Sequence, residues 1–151
     1  MDTIGGLPAH ILLVHIVVVI LPLTAAAAIL GSIWPRAQRK FTFLTPLGAL
    51  VGLIAVPFCT HAGMALANSL GSVSPAVARH MMLGARVLPL AFALFVVTSV
   101  QWAYLQFAQP RRWLTILIAV VVIVVAAATA GQVALTGDAG SRAVWQGIVI
   151  K

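Results

Sequence analysis

Four histidines, His10, His15, His61 and His80, carry most of the chemistry in this 151-residue chain, together with Cys59 and Met64 in the run CTHAGM and Arg79 in the run RHMM. Imidazole is the commonest side-chain metal ligand, and facing helices of a bundle can present two imidazoles across one cofactor. Metal or haem ligation is therefore the chemistry these residues could perform. His10 and His15 are five residues apart, roughly 140° around a helix, so they cannot chelate one ion from one face. Each must look to another helix, and a b-type haem with one spare histidine, or two stacked layers, fits this spacing better than a four-histidine zinc site. Arg79, Arg86 and Arg142 could pair with haem propionates or with headgroup phosphates, which guanidinium matches bidentately. A copper alternative draws on thiolate, imidazole and thioether from Cys59, His61 and Met64, with His80, Met81 and Met82 on the next helix. A plainer reading stands beside both: histidines that only meet water at helix ends, methionines that pack and arginines that snorkel.

The elements that must position these groups are membrane helices. The chain is 62% hydrophobic and 7% charged, where soluble domains run near a quarter charged. At about 20 to 25 residues per span, its length accommodates four spans, short loops and no soluble domain. We expect one all-α domain over 1–151, an antiparallel four-transmembrane-helix bundle with spans near 8–34, 42–68, 76–107 and 113–136. Pro8 suits a first helical turn, and Ser74-Pro75 reads as an N-cap followed by proline at the first helical position. Pro22 and Pro57 fall inside spans and should bend them without breaking them. Gly48 and Gly52 form a GxxxG step whose face points away from His61 and is free for a neighbouring helix or a second protomer. The tail TGDAGSRAVWQGIVIK should follow the fourth span, with Asp138 and Arg142 forming a local ion pair or a turn hydrogen bond.

The first and third loops, PRAQRK and QPRR, carry Arg36, Arg39, Lys40, Arg111 and Arg112, against Arg79, Arg86, Arg142 and Lys151 on the opposite side. Trp34, Trp102, Tyr104 and Trp113 mark the five-charge level as an aromatic belt, so that level should be cytoplasmic and both termini external. The opening MDTIGGLPAH lacks the positive start of a signal peptide and reads as retained. Counting nineteen residues outward from Trp34, Thr42 and Trp113 reaches His15, His61 and Gln132, and eighteen from Tyr104 reaches Arg86. That is roughly 27 to 28 Å at 1.5 Å per residue. His10, His80 and Asp138 lie further out. The deeper layer, shielded from water, is where ligands would matter, with His15 and either His80 or His61 as the axial pair and His10 in a lesser role.

GLPAHILLVH at the start, Arg79-His80 opening the third span and AGQVALTGDAGSRAVW near the end together resemble a bacterial four-span family, domain of unknown function 2231, over nearly the whole chain. The resemblance implies a layout similar to small membrane cytochromes b and, since a similar module in some proteins is joined to a Rieske domain, electron-transfer chemistry in a bacterial plasma membrane. The family's recurrent histidines fall on His10, His15 and His80, whereas His61 is particular to this sequence. The family's proline after the first histidine is here Ile11, and the chain has no Rieske cysteine-histidine motif.

Nothing here resembles a serine-histidine-acid set, a phosphate loop or paired carboxylates, so independent turnover is not expected. Nucleic acid is not an expected partner, because basic residues never run longer than two and no recognition motif is present. The lipid bilayer is the first partner; a larger membrane complex or a second copy is the next. Two functions compete: a haem-binding or redox-associated membrane subunit, and a non-catalytic accessory subunit of a larger membrane complex, a respiratory one among the candidates, that uses its helices as a surface.

Overall fold

The computed structural model describes residues 3–4, 7–41, 43–69 and 72–145. Thr42 and Lys151, used above as a depth marker and an outer charge, lie outside that set, as does Asp2 in the opening segment. The chain begins with two paired two-residue strands, β1 (Thr3–Ile4) and β2 (Leu7–Pro8), antiparallel with Ile4 opposite Leu7. Six helices follow: α1 (Ala9–Ile33), α2 (Pro35–Phe41), α3 (Leu44–Ser69), α4 (Pro75–Ala85), α5 (Val87–Phe107) and α6 (Arg112–Trp145). Four helical rods, with α4 and α5 counted as one, are long and apolar enough to cross a membrane.

The rods pack in a ring. Helix α1 touches α3 and α6, α3 also touches α5, and α5 closes on α6, which leaves α1 diagonal to α5. Helix α4, the first part of the third rod, packs chiefly on α6. The interior is built from small and medium residues, with Ala49, Ala91, Leu21, Leu94, Val122 and Ala126 inaccessible, whereas Leu23, Phe58, Phe92 and Val124 are more than half exposed on the outside. Large apolar groups outward and small ones inward is the pattern of helices solvated by lipid, where close backbone approach and not exclusion of water holds the helices together. The GxxxG face serves that purpose inside the chain: a Cβ at Gly48 would run into Thr24, and one at Gly52 into Leu21.

Polar interior groups are satisfied locally or across helices. The buried hydroxyls of Thr98 and Thr129 donate to Leu94 O and Val125 O one turn back, at 2.7 and 2.8 Å. Gln101 Nε2 on α5 donates to Ser32 Oγ on α1 at 2.9 Å. Helices α1 and α3 continue through Pro22 and Pro57, as membrane helices can when packing supports the freed carbonyls.

Four local features differ from the sequence expectation, and one of them is at the start of the chain, where Pro8 ends β2 just ahead of α1 instead of occupying its first turn. The first loop contains a short helix, α2, begun by Pro35, with Ala37 buried. The third span divides at Arg86, where φ is −80° and ψ −13° and the Arg86 N–H reaches Leu83 O at 3.1 Å. Pro89 explains the division, since its ring crowds the carbonyl four residues earlier and supplies no N–H for it. The fourth helix runs on to Trp145 through the expected GDAGSR turn. There Arg142 Nε meets Asp138 Oδ2 at 2.9 Å, the expected local ion pair in its i, i+4 form, and buried Ala139 packs the extension in place. Packing against α4 outweighs the two glycines' low helix propensity. The N-cap is as expected, with Ser74 Oγ accepting from the Val77 N–H at 3.3 Å.

One substitution made at two glycines separates packing from propensity. Gly52→Ala should destabilise the bundle by about 1–3 kcal/mol, because Leu21 is inaccessible and has nowhere to move. Gly131→Ala, where a Cβ meets nothing within 4 Å, should be neutral or stabilising by up to about 1 kcal/mol. Reversible unfolding in mixed micelles measures both; equal effects would mean that α1 and α3 do not approach through this face.

Candidate functional site

His10 is the second residue of α1, and the far end of α3 passes beside it. Its Nδ1 lies 3.0 Å from Cys59 O. Gly63, four residues beyond Cys59, makes room for the ring: a Cβ there would stand 3.0 Å from His10 Nδ1. The same device recurs on the other side of the bundle. His80 on α4 places Nδ1 2.9 Å from Thr136 O on α6, and a Cβ on Gly140, again four residues beyond the bonded carbonyl, would stand 2.9 Å from His80 Cε1. Each imidazole thus lies in a groove that a missing Cβ opens, bonded to the carbonyl one turn earlier on that helix.

These bonds fix the chemistry of both rings. A carbonyl oxygen only accepts, so each Nδ1 carries the proton, and a neutral ring then holds an unprotonated Nε2 with its lone pair available. A histidine that ligates through one nitrogen while giving its other N–H to a backbone carbonyl is the common arrangement at metal sites. The two rings, His10 from α1 and His80 from α4, come together across the bundle with centroids 6.4 Å apart and planes at 78°. Two imidazoles on opposite sides of one ion, at metal–nitrogen bonds of about 2 Å, put their ring centres roughly 6 Å apart. Both residues are half-buried.

The other sequence candidates lie elsewhere. His15 and His61 are exposed on the bundle surface, so the convergence expected of the deeper layer occurs one layer further out, between His10 and His80. The reason is the socket glycines: they lie on α3 and α6 opposite His10 and His80. Cys59 is buried, and its Sγ sits 3.7 Å from His10 Nδ1, at the ring edge already bonded to the carbonyl. Met64, Arg79 and Arg86 are exposed. Arg79 and Arg142 line a cleft between α4 and α6. Gln132, placed in the deeper layer by counting, donates from Nε2 to Leu83 O at 2.9 Å, one of the carbonyls at the α4–α5 division. Among the described residues, no group of three or more histidine, cysteine or acidic side chains could hold a metal ion.

Sequence reasoning missed Gly63, Gly140 and Thr136. The signal available was the pair of small residues, Ala62-Gly63 and Ala139-Gly140, near the ends of two apolar spans. Each reads as loop or packing material until the histidine opposite is known.

No curated protein and no solved structure matches the chain. A family model described as a predicted membrane protein, DUF2231, matches residues 6–150. The match takes in both histidines, both socket glycines and all four apolar rods, and the chain is therefore a member of the DUF2231 family of predicted membrane proteins.

Proposed function

We propose that the protein is a redox-associated membrane subunit whose His10 and His80 hold one metal-containing cofactor at the end of the bundle, and that b-type haem is the group that suits them. The pair of like-tautomer imidazoles 6.4 Å apart carries this reading. Two protein ligands complete the coordination of a haem iron, whereas structural and catalytic sites for a bare zinc ion take three or four. When bound, such a group supplies one-electron exchange. The chain's own part is to fix both ring orientations through Cys59 O and Thr136 O, and to offer the Arg79 guanidinium, one residue from His80, to a carboxylate of the cofactor. Arg86 is exposed three residues after Leu83 and is a weaker candidate for that pairing. Copper held by Cys59, His61 and Met64 has less support, since the thiol faces the bonded edge of His10 and the other two are exposed.

One observation favours a second reading, the accessory subunit. Each imidazole bond joins two helices, α1 to α3 and α4 to α6, with no cofactor required. Under either reading the protein lies in a bilayer, and we propose a bacterial plasma membrane with both termini external, on the strength of the basic loops around Arg36, Lys40, Arg111 and Arg112.

A reduced-minus-oxidised spectrum of protein purified in mild detergent, with metal analysis, tests the proposal. Wild type should show haem bands, and His10→Ala and His80→Ala should each abolish them. His61→Ala and His15→Ala should retain them, which reverses the ranking drawn from depth alone. Gly140→Val should weaken retention by about 10- to 100-fold by displacing the His80 ring, without removing a ligand. A wild-type protein without haem or metal would leave the accessory reading.

Orientation has its own test. A reporter fused after Lys40 should read cytoplasmic and one after Lys151 external; the opposite result would place the histidine pair on the cytoplasmic side.

A further inference from the structure

The end of the bundle opposite the histidines holds a cavity of about 220 Å³ among α1, α2, α3 and α5. Ala27, Ala28 and Gly31 form its α1 wall. From His10 to Ala28 along α1 is roughly 27 Å, so this cavity is remote from the candidate cofactor site. Its polar lining is Gln38, Thr45, Gln101 and Gln106, and its aromatic lining is Phe41 and Trp102. Among the described residues no charged side chain lines it, although Arg36, Lys40, Arg111 and Arg112 belong to the same end of the bundle.

We infer that this cavity is a second binding site, for an uncharged lipid-borne molecule whose head is a flat ring bearing carbonyl or hydroxyl oxygens. Three carboxamides and a hydroxyl, with no ion among them, select against a charged head, because burying an unpaired charge is far more unfavourable than burying a hydrogen-bonded dipole. A carboxamide both donates and accepts, so it serves a carbonyl or a hydroxyl equally. Gln101 is buried and held in place: one of its N–H groups bonds Ser32 Oγ at 2.9 Å, and the carboxamide has a second N–H and a carbonyl oxygen to offer. Ser32 is itself fixed by donating to Ala28 O at 2.8 Å. Phe41 and Trp102 supply the surfaces a flat ring prefers. The volume is below the roughly 300–1,000 Å³ of pockets that engulf a whole ligand, so the site takes a ring-sized head and leaves the tail in the bilayer.

Decyl-1,4-benzoquinone is the probe, added to the whole protein in detergent micelles, with thermal unfolding and tryptophan fluorescence as readouts. The probe should raise the unfolding midpoint saturably and quench fluorescence, whereas decylbenzene, with the same tail and no oxygen, should do neither. Gly31→Leu, which fills the cavity, and Gln101→Leu should each bind at least tenfold more weakly while keeping wild-type helix content by circular dichroism. Trp102→Phe should keep the thermal shift and lose most of the quenching, so that a variant that fails to fold does not decide the matter alone. Equal shifts from decylbenzene, a shift only from phosphatidylglycerol, or unchanged affinity in Gly31→Leu would each overturn the inference. Any of these results leaves the reading of His10 and His80 untouched, because that site and its spectral test involve other residues.

Discussion

At the outer end of this bundle two half-buried imidazole N–H groups take their acceptors from helix backbones, and in doing so each ties one helix to another. Helical carbonyls are normally screened by the side chain of the residue four positions on. Gly63 and Gly140 remove that screen opposite His10 and His80, and each ring settles on the exposed oxygen. The position of the rings, the tautomer they adopt and the nitrogen they leave available all follow from this pairing.

The same pairing accounts for features that otherwise look like departures from regular membrane helices. Helix α6 extends to Trp145 because Ala139 and Gly140 pack beneath α4, and the α4–α5 division at Arg86 is tied to α6 through Gln132 and Leu83 O. The two ends of the bundle differ in kind. One brings two imidazole rings together; the other gathers uncharged carboxamides around a small cavity within a positively charged rim. Between them the interior is nearly all alanine, leucine, valine and threonine, with the Thr98 and Thr129 hydroxyls bonded to carbonyls one turn back on their own helices.

Fold class was legible in the sequence because hydrophobic length is a sum over many residues and tolerates local error. Four apolar segments with basic first and third loops give four spans, and Ser74-Pro75 marks a helix start through a local bond. The site was legible only in part. Counting residues put His15 and His61 in a shared layer, but depth does not say which way a side chain points around its helix, and both face outward. The partner of each converging histidine is a backbone oxygen made reachable by a glycine on another helix, and no local pattern announces such a pairing. The fourth helix outran its expected end for a related reason. Gly137 and Gly140 favour a turn by themselves, while contacts made with α4 favour the helix.

Nitrogen-15 solid-state NMR of histidine-labelled protein in lipid bilayers, with assignments from single-histidine substitutions, tests the central claim most directly. The account predicts that in their neutral form His10 and His80 both carry the proton on Nδ1, leaving Nε2 as the unprotonated nitrogen, and that the two rings show mutual dipolar contact. Neutral rings with the proton on Nε2, or rings too far apart for dipolar transfer, would contradict it.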